Sequence, residues 1–408
     1  MNESVNCKDN SCFFKEIFKI KKDDIWQNIF KVIFIIWLCS IPFKNAIYQI
    51  STTLLPIFCI IHFVYHKNFY ILMDNLKKIK IFSICVCFII LGMLISNFLN
   101  PELLGKKSYH LIFMFVFRYC FVFITLAYFY RLSFFSKKEL LTFLFLGTFI
   151  LSLTALFQIY QNPDVLFLSV ENINSGLRGT LDNRNAMGLM MGVSVVFSLL
   201  ILKKNFNVGA FLFVFFSVFM IFTFSRSNWV ANGFAFSLFI LLNFKYLNKK
   251  FFIFVLMIII SAVILYFNVD SFHQRFNQLI HGNSSYRTDL WSYAISQIKN
   301  HPIFGHGLDV WRSLEMPSNI SKHTGVHNST LEILLFTGFF GLLTWIISTI
   351  KVGFDIIKSK NYIYLCLLVY FVIVTQFDFS VFDSKELFSY ITIFLFLVYR
   401  QKFESRHC

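Results

Sequence analysis

The chain has 408 residues, of which 57% are hydrophobic and 20% aromatic, while only 14% are charged. With a mean hydropathy of +0.66, this composition excludes an ordinary soluble globular protein. The formal net charge of +16 mainly sets the orientation of such a chain in a bilayer. We therefore expect no nucleic-acid partner.

Long apolar segments predict an all-α integral membrane protein, formed by residues 1–408 as a single polytopic domain. A helix crosses the hydrocarbon core of a bilayer with ~20 mostly apolar residues, and about 12 segments qualify. The predicted spans are 28–43, 46–66, 81–99, 109–130, 139–161, 185–202, 208–224, 228–244, 251–267, 327–350, 361–377 and 386–400.

The basic residues predict the orientation. Most of the 37 Lys and Arg lie on one face if the N-terminus is cytoplasmic, and the positive-inside rule then places both termini in the cytoplasm. The first 27 residues are polar and lysine-rich. Because the first apolar run also lacks a small-residue cleavage site, we expect no cleavable signal peptide.

Two connections are long, residues 162–184 and residues 268–326, and both are extracytoplasmic in this topology. Structureless loops beyond ~12 to 15 residues are uncommon unless they carry function. In the longer loop, apolar residues at 290, 291, 294, 295 and 298 predict an amphipathic helix from Tyr286 to Asn300, with Ser284 or Ser285 as its cap. Pro302 ends this helix, and Gly305-His306-Gly307 predicts a tight turn.

Arginines concentrate on the predicted outer side, at Arg178, Arg184, Arg226, Arg275, Arg287 and Arg312. Guanidinium makes forked contacts with phosphate. Arg226 lies in the short connection 224–228, so we expect it close to the bundle, although an interfacial snorkelling arginine is the alternative. Arg287 lies in the first turn of a helix, where the dipole opposes a cation. We therefore expect an anionic partner for it, and the alternative is an exposed arginine balanced by Asp289.

Two further positions carry charge or anion-binding potential. Residues 178–185 lead into the sixth span, and backbone amides at that helix start are suited to holding an anion. Arg118 lies near the middle of the fourth span, too deep to reach the interface easily, so it should face the protein interior with a partner. Whether Arg118 is structural or lines a lipid path remains open.

His327 is the candidate general base. It lies with Asn328 and Glu332 at the mouth of a long apolar segment, and neutral imidazole is the usual group that takes a proton from a hydroxyl near neutral pH. Glu332, about a turn deeper, would orient or polarise it. A metal site is the alternative, because His323 and His327 are four residues apart and His301 and His306 are five apart. No supporting carboxylate stands at a zinc spacing, so we expect no metal.

These motifs together resemble the bacterial O-antigen ligase and polymerase superfamily. The resemblance covers roughly residues 175–350. It is carried by Arg178-Gly179-Thr180 with Asn183 and Asn185, by Ser225-Arg226-Ser227, by Tyr286-Arg287 through His301-Pro302 to Gly305-His306-Gly307, and by His327-Asn328 followed by Gly338 and Gly341.

The resemblance implies a GT-C-like, metal-independent glycosyltransferase of the bacterial inner membrane with a periplasmic active site and no cofactor. The donor would be undecaprenyl-diphosphate-linked polysaccharide, the acceptor a lipid A-core oligosaccharide, and the anomeric carbon would invert. On the family pattern Arg226 and Arg287 bind the diphosphate and His327 is catalytic. The further substrate-binding candidates are Arg178, Arg184, Asn183, Asn328, Arg312 and His306.

Three functions remain open. The ligase is favoured by the dominant loop 268–326 beside mostly short connections. An O-antigen polymerase or a protein-targeting oligosaccharyltransferase would use the same residues on another acceptor, because superfamily motifs do not fix the acceptor. A transporter or channel would spread ionisable residues through several spans, whereas here only Arg118 lies deep.

Overall fold

The structure is a computed structural model that describes residues 25–43, 46–103, 105, 107–167, 176–281 and 286–404, and all regular secondary structure in these ranges is helical. The α-helices are α1 (Ile25–Ser40), α2 (Ala46–Tyr65), α3 (Phe69–Lys78), α4 (Lys80–Leu99), α5 (Ser108–Phe113), α6 (Phe121–Arg131), α7 (Lys137–Gln161), α8 (Arg184–Leu202), α9 (Phe206–Ile221), α10 (Arg226–Asn243), α11 (Lys249–Asn268), α12 (Asp270–Ile280), α13 (Arg287–Ile298), α14 (Ser329–Lys358), α15 (Tyr362–Val374) and α16 (Lys385–Phe403). Single turns of 3-10 helix lie at Pro101–Leu103, Pro163–Leu166, Phe244–Tyr246 and Val310–Arg312, and a π-helical turn, Met114–Cys120, joins α5 to α6.

The predicted class, an all-helical integral membrane protein, is confirmed. The described part of the chain has 7 helices long and apolar enough to cross a membrane: Ala46–Tyr65, Lys80–Leu99, Ser108–Arg131, Lys137–Gln161, Arg184–Leu202, Lys249–Asn268 and Ser329–Lys358. Shorter apolar helices are Ile25–Ser40, Phe206–Ile221 and Tyr362–Val374. Each predicted span coincides with a helix, but the count of about 12 crossings, the single domain and the membrane side of the loops stay predictions.

The long helices alternate in direction, so the bundle has two ends. At one end, the Ser329 N–H of α14 donates to the carbonyl of Thr375, just after α15, at 2.9 Å. At the other end, Lys402 Nζ in the last turn of α16 donates to Asp355 Oδ2 near the end of α14 at 3.2 Å. We call the first the site end and the second the opposite end.

Aromatic side chains fill much of the core between the helices. The ring centroids of Phe30 and Phe129 lie 4.3 Å apart, and those of Tyr119 and Phe388 lie 4.0 Å apart. In contrast, α11 leaves most of its apolar surface exposed, including Ile260. In a bilayer, lipid chains cover such a surface, so its exposure fits a membrane-embedded helix.

A kink in α14 fastens the long loop to the bundle. Gly338 leaves helical geometry with φ 64° and ψ −166°, and the turn 305–307 packs against the opening. A Cβ on Gly338 would lie 2.3 Å from the carbonyl oxygen of Ile303, so the contact requires glycine. Two backbone hydrogen bonds of 2.8 Å close it, Phe339 N to Pro302 O and His306 N to Leu335 O.

The segment 268–326 contains α12 and α13. The predicted amphipathic helix is confirmed as α13, which buries Leu290, Ala294 and Ile298. The predicted caps Ser284 and Ser285 lie outside the described residues. The helix begins after Tyr286, whose backbone is left-handed at φ 65° and whose side chain makes no capping bond.

Arg118 lies in the π-helical turn of the fourth predicted span. Its Nε is buried, as expected for an interior position, and has no hydrogen-bond partner among the described residues. Its charge acts on the buried hydroxyls of Tyr48 and Tyr119. The described part of the chain therefore gives Arg118 polar neighbours but no ion pair.

Candidate functional site

Four helices begin close together at the site end: α8 at Arg184, α10 at Arg226, α13 at Arg287 and α14 at Ser329. The first turn of a helix has unsatisfied N–H groups and the positive end of the dipole. Because three of these first residues are arginines, guanidinium charge adds to the dipoles. This arrangement attracts an anion.

Asp378, just after α15, joins the parts of this site. Its side chain is 4% exposed. One carboxylate oxygen accepts a hydrogen bond from Arg287 Nη2 at 2.5 Å, and the other accepts one from Ser227 Oγ. Its backbone oxygen lies 3.5 Å from His327 Nδ1. One residue therefore contacts the starts of α10 and α13 and the segment that precedes α14.

Arg287 pairs with the carboxylate of Asp378, a partner that was not predicted, and binding of an external anion by Arg287 stays a prediction. The alternative partner, Asp289, instead accepts a hydrogen bond from Asn319 Nδ2 at 3.3 Å. The carboxylate of Asp378 offsets the unfavourable interaction of the Arg287 cation with the α13 dipole. Arg287 keeps 20% of its side chain exposed, which leaves part of it accessible.

The helix α12 holds the turn that leads into α10. Arg226 is 8% exposed, as expected for a charge close to the bundle, and its Nη1 donates to the backbone oxygen of Gln278 at 2.9 Å. Arg275 donates through Nε to the carbonyl of Phe224 at 2.9 Å and through Nη1 to Gln278 Oε1 at 2.7 Å. The turn 224–226 is therefore fixed from the side by α12.

The site concentrates positive charge in a poorly solvated place. Burial lowers the pKa of the Arg275 guanidinium to about 9, and the charges of Arg184, Arg226 and Arg287 add to this effect while Asp378 opposes it. A guanidinium with this pKa remains charged at neutral pH. Such a concentration of like charges is unfavourable by itself and is typical of a site that binds an anion.

Arg184 belongs to this cluster because the charge of Asp378 acts on it. Arg178 lies earlier in the same segment, where its backbone N–H donates to Gln158 Oε1 of α7 at 3.0 Å. The structure thus places Arg184 with the other arginines and places the backbone of Arg178 beside α7.

His327 precedes α14 and is partly buried. Burial lowers the pKa of its imidazole below the usual 6.5, and the charge of Asp378 offsets part of this shift. The imidazole is therefore neutral near pH 7, the state that a general base requires.

Three residues of the site have left-handed backbones that side chains disfavour: Phe224 at φ 52°, Tyr286 at φ 65° and His327 at φ 54°. They directly precede the first turns of α10, α13 and α14. Backbone strain of this kind clusters at functional sites, where the surrounding structure maintains it. Here it sets the angle at which each helix start enters the site.

The expected contact between Glu332 and His327 is wrong. Glu332 is 5% exposed, and its Oε2 accepts the backbone N–H of Val381 at 3.3 Å. Its position inside the first turn of α14 directs it toward the segment after α15. The group beside the imidazole is the backbone of Asp378.

Two predicted binding residues lie in other surroundings. Arg312 pairs with Asp309 at 3.4 Å and with Asp383 at 3.6 Å. His306 is 3% exposed, and its Nε2 lies 2.8 Å from the backbone oxygen of Gln297. Burial also lowers the pKa of His306. Both side chains already have protein partners within the loop or beside it.

The two predicted asparagines act as helix caps. The side-chain oxygen of Asn183 accepts the N–H of Ala186 at 2.8 Å, and that of Asn328 accepts the N–H of Leu331 at 3.0 Å. A cap satisfies a backbone donor at the helix start. These residues therefore fix the starts of α8 and α14. Their side-chain amide nitrogens have no hydrogen-bond partner among the described residues.

The histidine pairs considered as metal ligands are close in space. The rings of His323 and His327 lie 6.1 Å apart, and those of His301 and His306 lie 4.3 Å apart. In the described ranges, no three His, Cys, Asp or Glu side chains come together as a possible ligand set. Metal independence stays a prediction.

Three residues of the site were not predicted to act in it: Asp378, Arg275 and Gln278. Asp378 follows the predicted span 361–377 at its outer end, which is the signal that was available: a carboxylate at the mouth of an apolar segment, as with His327. Arg275 was visible as an outer arginine. Its contact with the turn before α10 was not predictable, because it depends on the packing of α12 against that turn.

These features define a class: an all-helical integral membrane protein with a half-buried arginine cluster and a neutral histidine at one end. Residues 210–346 match the model of the O-antigen ligase family, so the resemblance predicted from the motifs is confirmed over this segment. The matched segment contains Arg226, Arg275, Arg287 and His327, whereas Asp378 lies beyond it.

Curated relatives match parts of the chain. The chain is 36% identical to an O-antigen ligase of Pseudomonas aeruginosa over 79 residues, which are 19% of this chain and 20% of the relative. It is 25% identical to an uncharacterized protein of Haemophilus influenzae over 159 residues, 34% of this chain and 40% of the relative. The matches thus span between a fifth and two fifths of these relatives.

Proposed function

We propose that this protein is an O-antigen ligase that transfers polysaccharide from undecaprenyl diphosphate to a lipid A-core sugar. The observation that carries the proposal is the meeting of three arginine-bearing helix starts around Asp378, directly beside His327. The family match over residues 210–346 supports the same chemistry.

The diphosphate of the donor would bind to Arg226 and Arg287, with Arg184 and Arg275 adding charge behind them. Diphosphate is the leaving group, so negative charge increases on the oxygen that joined phosphorus to the anomeric carbon as that carbon–oxygen bond breaks. Hydrogen-bond donors that are fixed in place before the reaction stabilise that charge most effectively. This chemistry is accessible to arginines without a metal.

His327 would take the proton of the acceptor hydroxyl. Its Nδ1 faces the backbone oxygen of Asp378, which favours the tautomer with the proton on Nδ1 and a free electron pair on Nε2. The acceptor oxygen forms the new bond to the anomeric carbon, the bond to the diphosphate breaks, the proton passes to Nε2, and the configuration inverts. General base catalysis of this kind contributes about 10²- to 10⁴-fold.

Asp378 would hold the site ready before the donor binds. Its carboxylate neutralises part of the charge on Arg287 and accepts a hydrogen bond from Ser227. Its backbone oxygen lies beside the imidazole of His327. An incoming diphosphate competes with this carboxylate for Arg287. Asp378 therefore acts as a positioning residue rather than as a group that touches the reacting atoms.

The reaction is tested by reconstitution. The full chain in liposomes receives an undecaprenyl-diphosphate-linked polysaccharide and either a lipid A-core acceptor, a second donor molecule, or an acceptor peptide. We expect transfer to the lipid A-core alone. Elongation of the donor chain would identify a polymerase, transfer to the peptide an oligosaccharyltransferase, and no transfer to any acceptor would refute the glycosyltransferase proposal.

The proposed topology places the site end in the periplasm and both termini in the cytoplasm. A membrane-impermeant maleimide should label Glu315→Cys, an exposed residue of the long loop, in intact spheroplasts. The control Lys358→Cys, exposed at the opposite end, should react only after permeabilisation. Labelling of Lys358→Cys alone would place the site in the cytoplasm and contradict transfer to a periplasmic acceptor.

A further inference from the structure

We propose that the opposite end of the bundle carries a second anion site, formed by Lys137, Tyr364 and Arg400, that binds a phosphate group. This site lies at the other end of α15 and α16 from the arginine cluster. Its occupation does not depend on the reaction proposed above.

Three helices bring the side chains together. Lys137 is the first residue of α7, Tyr364 lies in the first turn of α15, and Arg400 lies in the last turn of α16. Lys137 Nζ lies 5.8 Å from the centre of the Tyr364 ring. The charge of Arg400 acts on both Lys137 and Tyr364, and Lys204, just after α8, also acts on Lys137.

The site contains buried donors without acceptors. Nε and Nη1 of Arg400 and the hydroxyl of Tyr364 are buried and have no hydrogen-bond partner in the described part of the chain. Tyr364 is 2% exposed. Buried polar groups in folded proteins are nearly always bonded, because an unsatisfied one loses its interaction with water. Three such donors at one place indicate a bound acceptor.

The carboxylates at this end have other partners. Asp355 pairs with Lys351 at 2.6 Å and with Lys402 at 3.2 Å. Glu404 accepts the hydroxyl of Tyr130 at 2.9 Å. Among the described residues, no ion pair includes Lys137 or Arg400. The chain described here therefore does not supply the acceptor.

Phosphate fits this donor set. Arg400 offers a guanidinium fork, Lys137 an ammonium and Tyr364 a hydroxyl, and a tetrahedral oxyanion has acceptor oxygens for all three. Basic pockets between helices near the membrane surface bind phospholipid headgroups. Free phosphate offers the same chemistry, so the experiment must separate the two sources.

Native mass spectrometry of the full chain in detergent measures lipid retention with phosphatidylglycerol and with phosphatidylcholine. We expect the wild type to retain phosphatidylglycerol preferentially. Arg400→Gln should weaken this retention about tenfold, because a charge-assisted fork is lost. Tyr364→Phe, which removes a single oxygen, should weaken it by a smaller factor. The matched control is Lys402→Gln on the same helix, whose partner is Asp355, and it should retain lipid as the wild type does.

Thermal stability separates the sources. Phosphatidylglycerol should raise the Tm of the wild type more than that of Tyr364→Phe, and inorganic phosphate should not raise it beyond chloride at equal ionic strength. An equal gain from inorganic phosphate would assign the same site to the free anion. The proposal is overturned if Arg400→Gln and Tyr364→Phe, both monodisperse, match the wild type in lipid retention and in both stability tests.

Discussion

The two ends of the bundle handle positive charge differently. At the opposite end, two aspartates each pair with two basic side chains: Asp74 contacts Arg131 and Lys78, and Asp355 contacts Lys351 and Lys402. At the site end, the charge of one carboxylate, Asp378, acts on Arg184, Arg226, Arg275 and Arg287.

The difference shows which charges are paired within the fold and which are available for chemistry. Asp74 is 42% exposed on its side chain, and ion pairs in contact with water contribute little to stability. Asp378 is 4% exposed, and like charges in its surroundings repel one another at low dielectric. Arginine in place of lysine adds forked geometry. The arginines around Asp378 are therefore suited to an oxyanion, whereas the basic partners of Asp74 and Asp355 are already paired.

The largest expected effect tests the chemistry of the site end. His327→Ala should lower transfer by about 10²- to 10⁴-fold, because it removes the proposed base. Carrier-linked donor should accumulate in cells while the protein level stays normal. The control is His66→Ala, an exposed histidine at the opposite end. A His327→Ala enzyme with normal transfer would remove the base assignment.

The next effect compares arginines at the two ends. Arg287→Lys keeps the charge but loses the planar fork proposed to bind the diphosphate, so transfer should fall by about 10- to 100-fold. Arg131→Lys at the opposite end should leave transfer unchanged, since an ammonium still reaches Asp74. Transfer is measured with purified protein in liposomes. Equal, near-normal activity of both variants would mean that the fork at Arg287 does not matter.

A stability effect tests how the loop is fastened at the site end. Gly338→Ala places a Cβ 2.3 Å from Ile303 O at φ +64°, so we expect a loss of at least about 2 kcal/mol and a lower Tm in detergent. Gly233→Ala is the matched control, because nothing lies within 4 Å of its Cβ; a helical Ala should keep or raise the Tm by virtue of helix propensity. Equal Tm values for the two variants would show that the kink is tolerant.

Much of this architecture was predictable from the sequence. The span 139–161 corresponds to α7, Lys137–Gln161, because length and hydropathy alone define a membrane helix. Arg226 and Arg287 were recognisable from their places in a tight connection and at a helix start. Both positions are local features of the chain, so a single sequence contains them.

The remaining contacts depend on topology. Asp378 is 91 residues from Arg287 along the chain, and no local pattern signals that α15 ends beside the start of α13. The predicted partner of His327, Glu332, was wrong because sequence spacing does not give the direction of a side chain that lies one turn inside a kinked helix. The left-handed backbones of Phe224, Tyr286 and His327 were also not predictable, since tertiary contacts maintain them.

The smallest effect concerns the pH at which the site end works. Burial lowers the pKa of His327, and the charge of Asp378 offsets part of this shift. Asp378→Asn removes the offsetting charge, so the pKa of His327 should fall further. The reactive form is the neutral imidazole, so activity is lost as pH falls through this pKa. The acid limb of kcat/KM for the donor should therefore lie below pH 6.5 in the wild type and move to still lower pH in Asp378→Asn. The rate of this variant at pH 7 should also fall, because Arg287 loses its partner. Asp355→Asn, at the opposite end, should leave the limb in place. An acid limb that stays fixed or moves to higher pH in Asp378→Asn would separate His327 from Asp378 and remove the electrostatic link on which the site depends.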